Sequence, residues 1–109
     1  VGFPFGSAML TAAARASIDA AASGDGIRRI DIRGRTDNVG PAAANDLLAR
    51  QRAAAVAQYL RARHPHLAGA EVKVDGRGVC CYATENDTPE GRARNRRVEI
   101  AFWSVSSDL

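Results

Sequence analysis

Three stretches of the chain alternate between apolar and charged side chains. In residues 27–34, Ile30 and Ile32 fall on one side and Arg29, Asp31 and Arg33 on the other. Residues 71–75 set Val72 and Val74 against charged neighbours, and residues 97–103 set Val98, Ile100 and Phe102 against Arg97 and Glu99. This two-residue period is the pattern of a half-buried strand with one charged, wet face. Two other stretches favour helix. Residues 8–22 are rich in alanine, with Met9, Ala13, Ala16 and Ala20 forming an apolar stripe, and Ser23-Gly24-Asp25-Gly26 stops them. Residues 41–63 make the longest helix. Pro41 suits its first turn, and Pro65 ends it, because proline disfavours helix in the residue before it. Residues 35–40 read as a loop, and Gly76 and Gly78 end the second strand. Residues 79–95 read as irregular chain with one short helical turn near Thr88-Pro89-Glu90, and residues 1–5 as a short opening strand. The order predicts an α+β fold, βαβαββ: a two-layer sandwich with helices on one face of a mixed sheet.

The chain has 109 residues, 46% hydrophobic and 25% charged. That suffices for one modest core and is too short for two, so residues 1–109 read as a single domain. The first residues already look like folded domain, with no signal peptide and no apolar run near the ~20 residues of a membrane span. The expectation is a piece excised from a longer protein. Fifteen basic residues against twelve acidic ones give +3, and every basic residue but Lys73 is an arginine. This balance excludes a disordered chain and a polyanion-binding tail, and it is weak evidence for nucleic acid, which asks for a concentrated basic patch. The preference for arginine is the open question. Its planar fork of donors suits two-point recognition of a carboxylate. The adjacent Cys80 and Cys81 are too few for a disulfide framework and read as two partly buried thiols. His64 and His66, with Pro65 between them, fit a helix end better than a zinc site, so no metal and no cofactor are expected.

The long helix carries one informative irregularity. With Leu48 at zero on a helical wheel, Tyr59, Val56 and Leu60 fall at about 20°, 80° and 120°, a core-facing stripe. Arg52 at about 40° and Asn45 at about 60° lie inside it. A guanidinium there is costly unless paired. Either it snorkels or pairs internally, or it grips a carboxylate on a ligand. Asp37, in the loop leading into the helix, is the candidate partner. If that loop folds back over the apolar face, the two make a zwitterionic pocket, a carboxylate for an ammonium and a guanidinium for a carboxylate. Thr36 and Asn45 add neutral hydrogen bonds. Arg96 has the same strand parity as Val98, Ile100 and Phe102, and either borders that pocket or sits solvated at the strand edge.

Several ordered motifs resemble one family. Phe3-Pro4-Phe5-Gly6-Ser7-Ala8-Met9-Leu10 resembles the opening segment of the OmpA-like C-terminal domain family, and Gly34-Arg35-Thr36-Asp37-Asn38-Val39-Gly40 resembles its G-[HY]-T-D-x-x-G loop. Asn45, Leu48 and Arg52-Ala53 follow its N-x-x-L-x-x-x-R-A spacing. Residues 86–100, from Asn86-Asp87-Thr88 to Arg96-Arg97-Val98-Glu99-Ile100, resemble its N-x-T-x-x-G-R-A-x-N-R-R-V-E-I signature. The resemblance spans nearly all of residues 3–103. It implies the βαβαββ fold and a binding module without catalysis, as in peptidoglycan-associated lipoproteins and the stator protein MotB. The implied partner is peptidoglycan, held by the meso-diaminopimelate of its stem peptide. Asp37 and Arg52 match the residues that grip that group's amine and carboxylate. Thr36, Asn45 and Arg96 match positions lining the pocket, with Leu48 and the Phe5-Gly6 backbone beside them. Arg92 and Arg94 match signature positions expected to make structural hydrogen bonds. The implied place is the periplasm, attached to the outer membrane through the rest of the parent protein, with protein partners in the envelope. Arg35 replaces the usual His or Tyr, which puts the loop's charge or its contact with the ligand in question.

Other functions have less support. A nucleic-acid-binding sheet would need stacking rings, and the charged face offers only Trp103. A hydrolase would need a nucleophile and base in register, and no motif surrounds Cys80, Cys81 or His64. A domain that makes only protein contacts would have no use for Asp37 and Arg52 as a pair.

Overall fold

The computed structural model describes residues 1–78 and 80–104. β1 (Ile27–Gly34) lies at the centre of a three-stranded mixed sheet, with β2 (Glu71–Gly76) parallel on one side and β3 (Val98–Ser104) antiparallel on the other. A parallel pair needs a long crossover, and α2 (Ala42–Arg63) supplies it. Ile30 stands between Val72 and Phe102, and Ile32 between Val74 and Ile100. Central position buries both isoleucines completely. Val74 also points to the helix layer, yet it is 46% exposed because β2 is the edge strand. The expectation that Val74 lies in the core is therefore corrected.

The opening strand is reduced to one bridge, Gly2 to Arg97. Phe3 N–H donates to Arg96 O and Val98 N–H to Val1 O, and pairing stops at Pro4, which has no N–H to give. Phe3 still reaches the core, packed with Ile18, Ile30, Ile32, Val56 and Val98.

α1 (Ala12–Ala22) begins later than the alanine pattern suggests, because the Thr11 hydroxyl accepts from Ala14 N–H and caps it there. Its buried stripe is Ala14, Ile18 and Ala22, while Met9 lies outside the helix and is exposed. The predicted stripe through Met9, Ala13, Ala16 and Ala20 is corrected accordingly. Asp19 on α1 accepts from the Tyr59 hydroxyl at 2.9 Å and lies 2.7 Å from His64 Nε2, which ties α1 to the end of α2. The hydrogen bonds from His64 and then Tyr59 hold the Asp19 carboxyl below its usual pKa.

α2 sits backbone to backbone on one end of the sheet. A Cβ added to Gly34 would meet Ala49 O at 1.8 Å, and one added to Gly76 would meet Arg50 N at 2.4 Å. This close approach fixes where residues 35–40 cross over the helix. The short turn expected near Pro89 is a full helix, α3 (Pro89–Asn95), capped by the Thr88 hydroxyl, which accepts from Gly91 N–H. Cys80 and Cys81 are placed with their sulfurs against each other, at the position where the sequence reads two partly buried thiols. Adjacency in the loop brings the two sulfurs together, and Cys81 takes a left-handed backbone conformation (φ 63°) there.

Candidate functional site

The loop after β1, the first half of α2, Arg96 at the end of α3 and the Phe5-Gly6 turn converge on a cavity of about 190 Å³. Its walls include Phe5, Gly6, Thr36, Asp37, Asn45, Leu48, Arg52 and Arg96, all eight residues picked out in the sequence. Val39 and Ala44 complete the lining and were not picked out. Ala44 had a visible signal, since it lies beside Leu48 on the helical wheel.

Arg52 is 0% exposed. Its partners are backbone carbonyls and not a carboxylate: Nε donates to Ser7 O at 2.9 Å, Nη2 to Pro4 O at 3.0 Å and Nη1 to Arg35 O at 3.1 Å. The requirement for a carboxylate partner is thereby corrected. Carbonyl dipoles aimed at the guanidinium satisfy it well enough to keep it inside. A guanidinium has five N–H groups, so one remains on each Nη. The Phe3 ring stacks near it, 5.3 Å from Cζ. Burial pushes the Arg52 pKa down to about 10, Asp37 opposes the shift and Arg96 adds to it. Arg52 is thus still charged at neutral pH.

Asp37 is 3% exposed. Its Oδ1 accepts from Val39 N–H at 3.0 Å, which closes the loop on itself, and its Oδ2 accepts from Arg96 Nη1 at 3.2 Å. Arg96 Nε is meanwhile held by Phe3 O. Of the two sequence readings of Arg96, the structure selects the one at the cavity.

Thr36 and Asn45 differ in what they offer. The Thr36 hydroxyl lies 2.8 Å from Asp37 O and 3.0 Å from Gly78 O, so its proton is spent on the loop and only its oxygen is left to accept. Asn45 Nδ2 donates to Val39 O, and its Oδ1 has no partner among the described residues. Arg35 does not line the cavity. Its buried Nη1 donates to Gly34 O and reaches Asp75 at 3.5 Å, and its Nε has no partner among the described residues. Only its carbonyl serves the site, through Arg52.

Asn95 supports this arrangement from below and carried no clear signal beyond its place in the N-R-R run. It is wholly buried. Its Oδ1 accepts from Ala83 and Thr84 N–H, and its Nδ2 donates to Thr84 O and Asn86 Oδ1. Arg92 adds a bond to Asn86 O, as expected, while Arg94 is exposed and makes no such bond among the described residues.

Elsewhere, the charged sheet face pairs with itself. Arg29 and Arg33 flank Asp31, Arg97 holds Glu99, and Arg29 covers the Trp103 ring at 4.7 Å. Among the described residues, no group of three or more His, Cys, Asp or Glu side chains is placed to hold a metal, and no helix is long and apolar enough to cross a membrane.

The chain is 49% identical over 72 residues to the peptidoglycan-binding protein ArfA of Mycobacterium tuberculosis, covering 66% of this chain and 22% of ArfA. It is 42% identical over 67 residues to outer membrane protein A of Bordetella avium, covering 62% of this chain and 34% of that protein. The chain thus spans well under half the length of either relative. Among solved structures, the cell wall anchor of the T6SS from Pseudomonas aeruginosa superposes with a TM-score of 0.73 at 27% identity, over 94% of this chain and 75% of that one. A family model matches residues 2–96, a stretch that holds the opening segment, the Asp37 loop, Arg52 and Arg96, and the chain belongs to the OmpA family.

Proposed function

We propose that this domain binds peptidoglycan without making or breaking a bond, by the diaminopimelate residue of its stem peptide, and anchors an envelope protein to the cell wall. One observation carries the reading: a carboxylate, Asp37, and a buried guanidinium with two spare N–H groups, Arg52, share the walls of one small cavity. A ligand that bears an ammonium and a carboxylate on one carbon matches that pair. The names of ArfA and of the T6SS cell wall anchor support the same reading.

In the mechanism we infer, the ligand's ammonium takes the place of Arg96 Nη1 at Asp37 Oδ2, so one cation replaces another at the same carboxylate. Arg96 is 18% exposed at its side chain and is the movable wall of the cavity. The ligand's carboxylate meets the two remaining Arg52 N–H groups, and Asn45 Oδ1 accepts from the ammonium. The parent protein would be periplasmic and attached to the outer membrane, with this chain as one domain of it. Nucleic acid fits poorly, because Arg29 already covers Trp103 and the basic residues of the sheet face are matched by acids.

Co-sedimentation with purified sacculi tests this. Sacculi whose stems carry diaminopimelate should pellet the domain, and Asp37→Asn and Arg52→Ala should each weaken binding at least tenfold. Sacculi whose stems carry lysine, which lacks the side-chain carboxylate, should bind far less. Equal retention of both kinds would sink the diaminopimelate assignment, and full binding by both variants would sink the site.

A further inference from the structure

We infer that the free edge of β2 is a docking site for an extended segment of a partner protein, one whose residues alternate basic, apolar, acidic, apolar, basic. Among the described residues β2 pairs with β1 alone, so its other edge presents unpaired backbone groups, the template for an added strand.

The side chains beside that edge are arranged for such a strand on both faces. On the wet face β2 carries Glu71, Lys73 and Asp75, and β1 meets them with Arg29, Asp31 and Arg33, opposite in sign at every position. Opposed charges of this kind favour a pairing, and like charges disfavour it. The free side of β2 offers the same three charges to a newcomer, so the segment it selects has the charge order of β1. On the helix face the edge is bordered by two hollows. One, of about 350 Å³, is lined by Leu60, Leu67, Ala70 and Val72, with Arg61 at its wall. The other, of about 600 Å³, is an open hollow between Val74 and the exposed alanines Ala54 and Ala62 of α2, with Gln58 and Arg61 beside them. Successive inward side chains of an added strand are spaced as Val72 and Val74 are, so two apolar residues flanking the central acid would enter the two hollows.

A second copy of this chain matches less of the edge. Antiparallel pairing of two β2 strands centred on Lys73 sets lysine against lysine and Glu71 against Asp75; the register centred on Val74 sets Lys73 against Asp75 but needs Arg77, beyond the end of β2, to meet Glu71.

The chain's own β1 supplies the probe. The blocked pentapeptide Arg-Ile-Asp-Ile-Arg copies residues 29–33 and reads the same in both directions, so it serves for parallel and antiparallel addition. Titrated to about 1 mM into the ¹⁵N-labelled domain, it should shift amides of residues 71–76 and of the α2 face near Ala54 and Ala62, and leave Asp37 unmoved. The charge-reversed peptide Glu-Ile-Lys-Ile-Glu should bind about tenfold more weakly. No shift along β2, or equal binding of the two peptides, overturns the inference. Concentration-dependent shifts along β2 without peptide, with a dimer in sedimentation, would overturn it in favour of self-association.

Discussion

At the scale of single residues, Arg52 has two duties. Three of its N–H groups hold backbone carbonyls, and two remain for a ligand. Arg52→Met removes both and should cost roughly 3 kcal/mol of stability in urea unfolding, because buried carbonyls lose their donors. Asp37→Asn keeps an acceptor for Val39 N–H and should unfold within about 1 kcal/mol of the parent. Its binding to sacculi should nonetheless fall at least tenfold. If both variants lose binding only in proportion to stability, the cavity is structural. Arg52 and Asp37 were legible in the sequence because each breaks a local pattern. Arg52 interrupts an apolar stripe, and Asp37 sits in a motif at fixed distance from it. The partners of Arg52 were not legible, because backbone carbonyls leave no mark on residue identity. Arg35 misled for a related reason: its side chain turns away, and only its carbonyl reaches the site.

At the scale of elements, strands were read well and helix beginnings less so. β1 was placed residue for residue, since its apolar and charged side chains alternate along the strand, although Asp31 on the charged face is itself buried between Arg29 and Arg33. The start of α1 was missed, because alanine favours helix everywhere and only the Thr11 cap sets the phase. The seating of α2 depends on two glycines that look like ordinary strand ends. Gly34→Ala would drive a methyl into Ala49 O and should destabilise the fold by roughly 3 kcal/mol, visible as a lowered Tm. The contact between α1 and α2 makes a pH prediction. His64 and Tyr59 lower the Asp19 pKa, so this stabilisation is present above the ordinary value of 3.8 and is lost as pH falls through the depressed one. On the other side, burial and then Asp19 raise the Tyr59 pKa, so its share is present below 10.0 and is lost as pH rises past it. Asp19→Asn should therefore flatten both limbs of the stability profile followed by thermal melts from acid to alkaline pH. An unchanged profile would mean that α1 is held by Ile18 and Ala22 alone.

At the scale of the whole molecule, the opening segment and the junction between α3 and β3 meet at one place. Pro4 and Ser7 hold Arg52, Phe3 holds Arg96 and packs in the core, and Arg96 reaches Asp37. A chain shortened to begin at Thr11 should lose stability and sacculus binding together. Retention of binding by a folded truncated chain would show that the opening segment is a spectator. The ring of contacts also has a mechanical consequence. A pull applied along the opening segment loads the bonds to β3 first, and then the two carbonyls that grip Arg52. Tension would thus arrive at the very side chain proposed to hold the wall. The proposed ligand and the opening segment bear on opposite sides of one guanidinium, so an occupied cavity should raise the force at which that segment peels away.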